Sequence, residues 1–289
     1  VLKDYLRVAK PWIVFANILS ASGGFFLAAQ GRIDAALFLA VVIGVSVVVA
    51  SGCVCNNYID RDIDTLMART CTRPLARKAI SARSSLIYAL ILGVVGVVIL
   101  WLGTNTLTLV IVLAGFVIYV GIYSLVMKRT SAYSTIVGSL AGAAPPLAAY
   151  CAVTDRLDLG GLIVLAIFSL WQIPHSYAIT IYRFKDYAAA SLPVMSVRHG
   201  VATTKKDMVV HIIAFTLAAQ LLTFCGYAGY AYASVVALLS LYWLSVAWSG
   251  PKALSELLWA KKLYILSIVT IVVLSVMMSV DYTSSVPIQ

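Results

Sequence analysis

Nine apolar runs of eighteen residues or more follow one another along this chain, at 12–30, 35–55, 85–103, 107–127, 133–153, 159–182, 208–227, 231–248 and 263–280. A helix rises 1.5 Å per residue, so each run can cross a hydrocarbon core of about 30 Å. Nothing in that core can satisfy exposed backbone groups, and a run of this length crosses it as a helix. Of 289 residues, 62% are hydrophobic and 11% charged, too little polar surface to cover a water-soluble globule. The expected fold class is an all-α membrane protein with nine transmembrane helices, forming a single polytopic membrane domain over 1–289.

The basic residues test that count, because Lys and Arg in short loops collect on the cytoplasmic side. With the N-terminus cytoplasmic, all but Arg32 and Arg156 of the 21 Lys and Arg fall on inner segments. A missing or extra helix would scramble the alternation. The net charge of +10 is thus a topology signal and an attraction to anionic lipid or substrate, with no reason to invoke nucleic acid. The first run follows a basic segment without a small-residue cleavage site and reads as a retained span.

The inner connections after the second and sixth runs are long and charged, whereas outer ones such as 103–106 and 228–230 are short. Function is expected on the inner face, in loops 56–84 and 183–207 and their adjoining helices. These loops are equivalent if the chain is two four-helix halves followed by a ninth helix, a hint of an internal repeat. Pro145 and Pro146 in the fifth run and Pro174 in the sixth predict bends. Gly23, Gly24, Gly138 and Gly142 read as sites of close helix contact. The five cysteines have neither metal-ligand nor disulfide spacing and read as small core residues, and 284–289 reads as a frayed tail.

At the inner end of the second run stands Asn56-Asn57-Tyr58-Ile59-Asp60-Arg61-Asp62-Ile63-Asp64. On a continuing helix each step of four turns the side chain only about 40° and advances about 6 Å, so Asn56, Asp60 and Asp64 share one stripe. Asp62 falls on the opposite side, answered by Arg61 or lipid headgroups. Acidic groups stacked this way repel unless a cation intervenes, and an all-oxygen set suits magnesium shared with substrate phosphates. A diphosphate is the natural bridging ligand, with Arg69, Arg73, Arg77 and Lys78 downstream to clamp its oxygens. The competing reading is a solvated helix end, and Arg77, Lys78 and Arg83 fit it better than they fit a site.

A second constellation runs from Trp171-Gln172-Ile173-Pro174-His175 to Lys185-Asp186-Tyr187. An ionisable residue inside a span is a functional candidate by default, which singles out His175. If the helix is continuous, His175, Tyr182 and Asp186 lie on one stripe, with the histidine about 16 Å deeper than the aspartate. The picture is a charged mouth, where Asp186 and Lys185 complete the metal and diphosphate shell, above an apolar chamber holding His175. Trp171 and Tyr177 read as packing residues, and His199 and His211 are unassigned.

In these motifs, together with Tyr123-Ser124-Leu125-Val126-Met127-Lys128-Arg129 and Gly142-Ala143-Ala144-Pro145-Pro146, the chain resembles the intramembrane prenyltransferases, and among them the members that farnesylate heme. The likeness runs from the first helix to the ninth. It implies Asn56, Asp60, Asp64 and Asp186 as magnesium and catalytic ligands, and Arg69, Arg73, Lys128, Arg129 and Lys185 around the diphosphate. It implies His175 as a catalytic and heme-contacting residue. The wider family has two aspartates four apart in its second motif; here Tyr182 replaces the first and only Asp186 remains. The implied reaction moves a farnesyl group from farnesyl diphosphate to a vinyl of protoheme IX with hydroxyl addition. The implied setting is the lipid of a bacterial inner membrane, with terminal oxidase or heme-processing enzymes as partners.

Two other readings compete. Prenyl transfer to an aromatic quinone precursor would use the same diphosphate site with another acceptor pocket. A cation- or proton-coupled transporter would use Asp60, Asp64 and Asp186 as a relay, although such acids belong nearer the midplane.

Overall fold

The computed structural model describes residues 2–250 and 255–283; Lys252, read above as an inner-face cation, and the segment 284–289 lie outside the described residues. Nine helices among the described residues are long and apolar enough to cross a membrane. They are α1 (Pro11–Ala29), α2 (Ala35–Ile59), α3 (Ala82–Gly103), α4 (Thr106–Thr130), α5 (Ser134–Thr154), α6 (Leu159–Tyr182), α7 (Gly200–Phe224), α8 (Tyr230–Ser249) and α9 (Glu256–Val280). The protein is a multi-pass membrane protein, as the runs predict. Helices α7 and α9 start well before their apolar runs, because polar first turns are helical without being hydrophobic, and Ser255 caps α9 by accepting from Leu258 N. Asp34, Ser81, Asn105 and Asp158 likewise cap the helices that follow them, a local preference legible in the residue types.

Helix α5 is the most buried span and packs against α1, α4 and α6, while α9 contacts α1 as well as α6 and α8, closing the bundle. Small residues permit the close approaches. A Cβ at Gly23 would lie 3.0 Å from the Ser275 backbone on α9, and one at Gly24 would collide with the Pro146 carbonyl on α5. Polar tethers add to this: Ser51 Oγ on α2 donates to Ala89 O on α3 at 2.7 Å, and the Asn105 amide donates to Cys151 O at 2.8 Å. Helices α3 and α4 are the least buried and present Leu90, Ile91, Trp101 and Leu113 outward, as a lipid-facing wall requires.

Pro145 and Pro146 lie inside an unbroken α5, and Pro174 inside an unbroken α6. A further irregularity falls in α4, where Ile118–Met127 is wound as a π-helix. Helix α6 ends at Tyr182; Arg183 leaves helical geometry with φ −111° and ψ 28°, and a separate short helix, Phe184–Ala189, follows. The expected continuous stripe from His175 through Tyr182 to Asp186 is therefore broken.

Candidate active site

Helix α2 stops at Ile59, so the regular helix that the Asn56, Asp60 and Asp64 spacing assumed does not continue. The four-residue relation survives through two backbone bonds. Asp60 N donates to Asn56 O at 2.9 Å, and Asp64 N, in the 3-10 turn Ile63–Leu66, donates to Asp60 O at 2.8 Å. All three side chains are buried, at 4%, 0% and 1% exposure, so this is no solvated helix end.

Charges buried this deeply need partners. The Asn56 amide donates to Asp60 Oδ2 at 2.9 Å and to Ser124 Oγ at 3.1 Å, and its own Oδ1 accepts from Lys10 Nζ at 2.5 Å. Lys128 Nζ also donates to Asp60 Oδ2, and one Arg73 nitrogen donates to both Asp64 oxygens at 2.9 Å. Burial, reinforced by Arg73 and Lys128 nearby, pushes the Lys10 ammonium down to about 8. Asp60 Oδ1 is buried with no hydrogen-bond partner among the described residues. An orphaned carboxylate oxygen beside an amide oxygen and a second carboxylate is a donor set that fits a hard divalent cation. The surrounding Lys and Arg would then be released to phosphate oxygens.

These groups rim one cavity of about 340 Å³. Lys10, Asn56, Asp60, Asp64, Arg69, Arg73, Lys128 and Tyr187 form its charged end. Deeper walls come from α1 and α2 (Ile13, Val45, Val49, Gly52), α4 (Val112, Phe116, Tyr119, Tyr123), α5 (Gly138, Gly142, Pro145) and α6 (Gln172, Ser176). The arrangement can bind an anionic head at a cation-rich mouth and enclose an apolar chain below it.

Four expected residues do not line this cavity. His175 faces α9: its Nδ1 lies 2.7 Å from Ser267 Oγ, and its ring stacks on Trp171 at 4.8 Å and tilts against Tyr264 at 5.3 Å. Its place on the wall is taken by Gln172 and Ser176. Arg129 grips Asp62 with both terminal nitrogens, at 2.6 and 2.7 Å, and holds that carboxyl down to about 2. It thereby supplies the partner that Arg61 was expected to be, while Arg61 instead donates to Tyr58 O. Lys185 and Asp186 border a separate surface recess that shares only Arg69 with the cavity, a consequence of the break at Arg183. No three His, Cys, Asp or Glu side chains among the described residues converge as a metal set. Arg77, offered above both as a clamp and as a solvated charge, pairs with Asp4 at 2.5 Å.

Sequence reasoning missed Lys10, which reads as one more topology charge; its left-handed φ of 53° immediately before Pro11 gives no sequence signal. It also missed Tyr119 and Tyr123, stacked with ring centroids 6.1 Å apart, which the π-helical register turns inward.

The UbiA prenyltransferase family matches residues 17–278. The chain belongs to that family. Within the UbiA prenyltransferases it is 56% identical to the protoheme IX farnesyltransferase of Yersinia enterocolitica over 281 residues, 97% of this chain and 95% of that protein. It is 55% identical to the protoheme IX farnesyltransferase of Cronobacter sakazakii over the same shares. Among solved structures, a digeranylgeranylglyceryl phosphate synthase superposes with a TM-score of 0.76 at 17% identity, covering 96% of this chain and 98% of that one. A UbiA homologue from Archaeoglobus fulgidus, bound to GPP and Mg2+, superposes with a TM-score of 0.72 at 14% identity over 96% and 99%. At such identities these two establish the shared UbiA fold.

Proposed function

We propose that this protein transfers the farnesyl group of farnesyl diphosphate to a vinyl group of protoheme IX, with hydroxyl addition, giving heme O and diphosphate. The observation that carries the reading is the cavity whose mouth combines the orphaned Asp60 oxygen and Asp64 with Lys10, Arg69, Arg73 and Lys128, above apolar walls. The heme acceptor rests on the 54–56% identity to protoheme IX farnesyltransferases over 97% of the chain, which favours it over a quinone precursor or a transported ion.

Asn56, Asp60 and Asp64 would hold magnesium, which when bound supplies positive charge to the departing diphosphate. Arg73 and Lys128, now committed to the aspartates, would turn to phosphate oxygens together with Arg69 and Lys10. Lys185 and Asp186 would act at the outer rim beyond Arg69. The apolar walls keep bulk water from the allylic cation until the vinyl π electrons attack it. His175 is proposed as a heme contact on the α6–α9 face, flanked by Trp171 and Tyr264. The inner-face bias of Lys and Arg supports a cytoplasmic mouth in a bacterial inner membrane, close to terminal oxidase or heme-processing enzymes that would receive the product.

The test is mass spectrometry of hemes extracted from membranes with and without the protein. A farnesylated, hydroxylated heme that appears only with the protein is expected. Conversion of an aromatic carboxylate acceptor with heme left untouched would overturn the reading.

A further inference from the structure

The proposed reaction needs one molecule of water at one moment, inside a chamber whose walls otherwise exclude it. Two polar side chains on the apolar wall have no other evident task. Gln172 and Ser176, one turn apart on α6, both line the cavity, and neither side chain has a hydrogen-bond partner among the described residues. A Cβ at Gly142 would strike the Gln172 amide, so the bare α5 backbone at that point leaves the amide its berth. Two further polar groups of the wall are less well placed. Thr135 sits in the first turn of α5, at the rim, and Asn17, across the cavity, already donates to Ile13 O at 2.8 Å.

Both side chains lie inward of the Tyr182 end of α6. Ser176 lies six residues and Gln172 ten residues from the inner end of α6 at Tyr182, about 9 and 15 Å along the axis. A diphosphate at the charged mouth would send its prenyl chain inward along the wall that these two side chains share. Unpaired polar groups in a roomy cavity are what hold an ordered water.

Resting on the farnesyl transfer proposed above, we infer that Gln172 and Ser176 are water-positioning residues, which orient the molecule that adds to the acceptor. The C–O bond of the donor breaks and its electron pair leaves with diphosphate. The vinyl π pair forms the new C–C bond, leaving a cation at the carbon attached to the porphyrin. Water, donating to Gln172 Oε1 and Ser176 Oγ, directs its lone pair at that carbon; the C–O bond forms and the surplus proton passes to the released diphosphate. Without an oriented water the same cation sheds a proton from the neighbouring carbon and becomes an alkene, lighter than the hydroxylated product by one water.

The experiment uses the purified full chain with farnesyl diphosphate, protoheme and magnesium, and reads both farnesylated hemes in one mass spectrum. In 18O-labelled water the unsubstituted protein should give the hydroxylated product carrying the label. Ser176→Ala, which removes a single oxygen, and the near-isosteric Gln172→Met should each raise the ratio of alkene to hydroxylated product, and together by about tenfold or more, the scale of losing one oriented reactant. A ratio equal to that of the unsubstituted protein in all three variants would overturn the assignment. So would a proportional loss of both products, which would make the pair supports for substrate rather than for water. Absence of any farnesylated heme from the unsubstituted protein would overturn the parent reading, and this one with it.

Discussion

The two oxygens of Asp60 live in different circumstances. Oδ2 is held by Asn56 and Lys128, whereas Oδ1 is buried without a partner. An unpaired buried carboxylate oxygen is costly, and its persistence makes sense if a cation completes it. Asp60→Asn and Asp64→Asn should each lower heme O formation by roughly 100-fold or more, the scale of losing a group that stabilises developing charge, with unchanged membrane insertion. Heme O measured by mass spectrometry, beside the amount of inserted protein, checks this. Neighbouring cations should separate sharply. Lys128→Ala should weaken farnesyl diphosphate binding about tenfold or more, since charge-assisted bonds are worth about 1.5–3 kcal/mol. Arg129→Ala, which breaks the exposed pair with Asp62 and the bond to Ile59 O, should change it less than about threefold. Equal losses in a binding titration would return Arg129 to the diphosphate. Lys10→Met should behave like Lys128→Ala, because Lys10 stands on the same rim.

Among the elements, α4 departs furthest from expectation. A π-helical stretch inside an otherwise regular helix is uncommon and tends to occur where function needs a particular side-chain direction. Here the ten residues Ile118–Met127 aim Tyr119 and Tyr123 into the cavity and precede Lys128. Deleting Ile122, which faces outward, should rotate everything after it by about 100°, carrying Lys128 off Asp60. Loss of donor binding by a chain that still inserts and elutes as a folded species is the expected result. At the crossing of α1 and α5, Gly24→Val would drive a branched side chain into the Pro146 carbonyl. Overpacking of this kind costs about 1–3 kcal/mol or more, so the unfolding midpoint in detergent should fall clearly below that of the unsubstituted protein. The apolar runs made every span legible. The π-helix was not legible, because its residues are as hydrophobic and as regularly spaced as those of an ordinary span.

Across the whole molecule, the catalytic end is assembled from parts far apart in the chain. Lys10 opens α1, Asp60 and Asp64 close α2, Arg73 lies in the loop that follows, and Lys128 ends α4. All of them come to one end of a bundle that contact between α1 and α9 closes. Removing divalent ions with a chelator should stop diphosphate release and loosen farnesyl diphosphate binding, both restored by added Mg2+. Undiminished binding and turnover without divalent ions would sink the proposed metal site. With the N-terminus cytoplasmic and nine crossings, a phosphatase fused after the last described residue should be active outside the cytoplasm, and a fluorescent reporter at the N-terminus should mature within it.

The amino-acid sequence alone determined that the chain lives in lipid and how many times it crosses, and it singled out Asn56, Asp60 and Asp64 as the stripe proposed to hold a cation and an anion. Hydrophobic length, loop charge and i, i+4 spacing are local quantities, and no partner is needed to evaluate them. Tertiary structure alone decided which cations serve that stripe and which polar groups face the chamber. It drew in Lys10, set Lys128 on Asp60 and gave Arg129 to Asp62. It turned His175 toward Ser267, and Gln172 and Ser176 toward the cavity. In a bundle hydrophobic all round, the direction of a side chain is set by the helices that happen to flank it, and a single chain read residue by residue does not contain that choice in legible form.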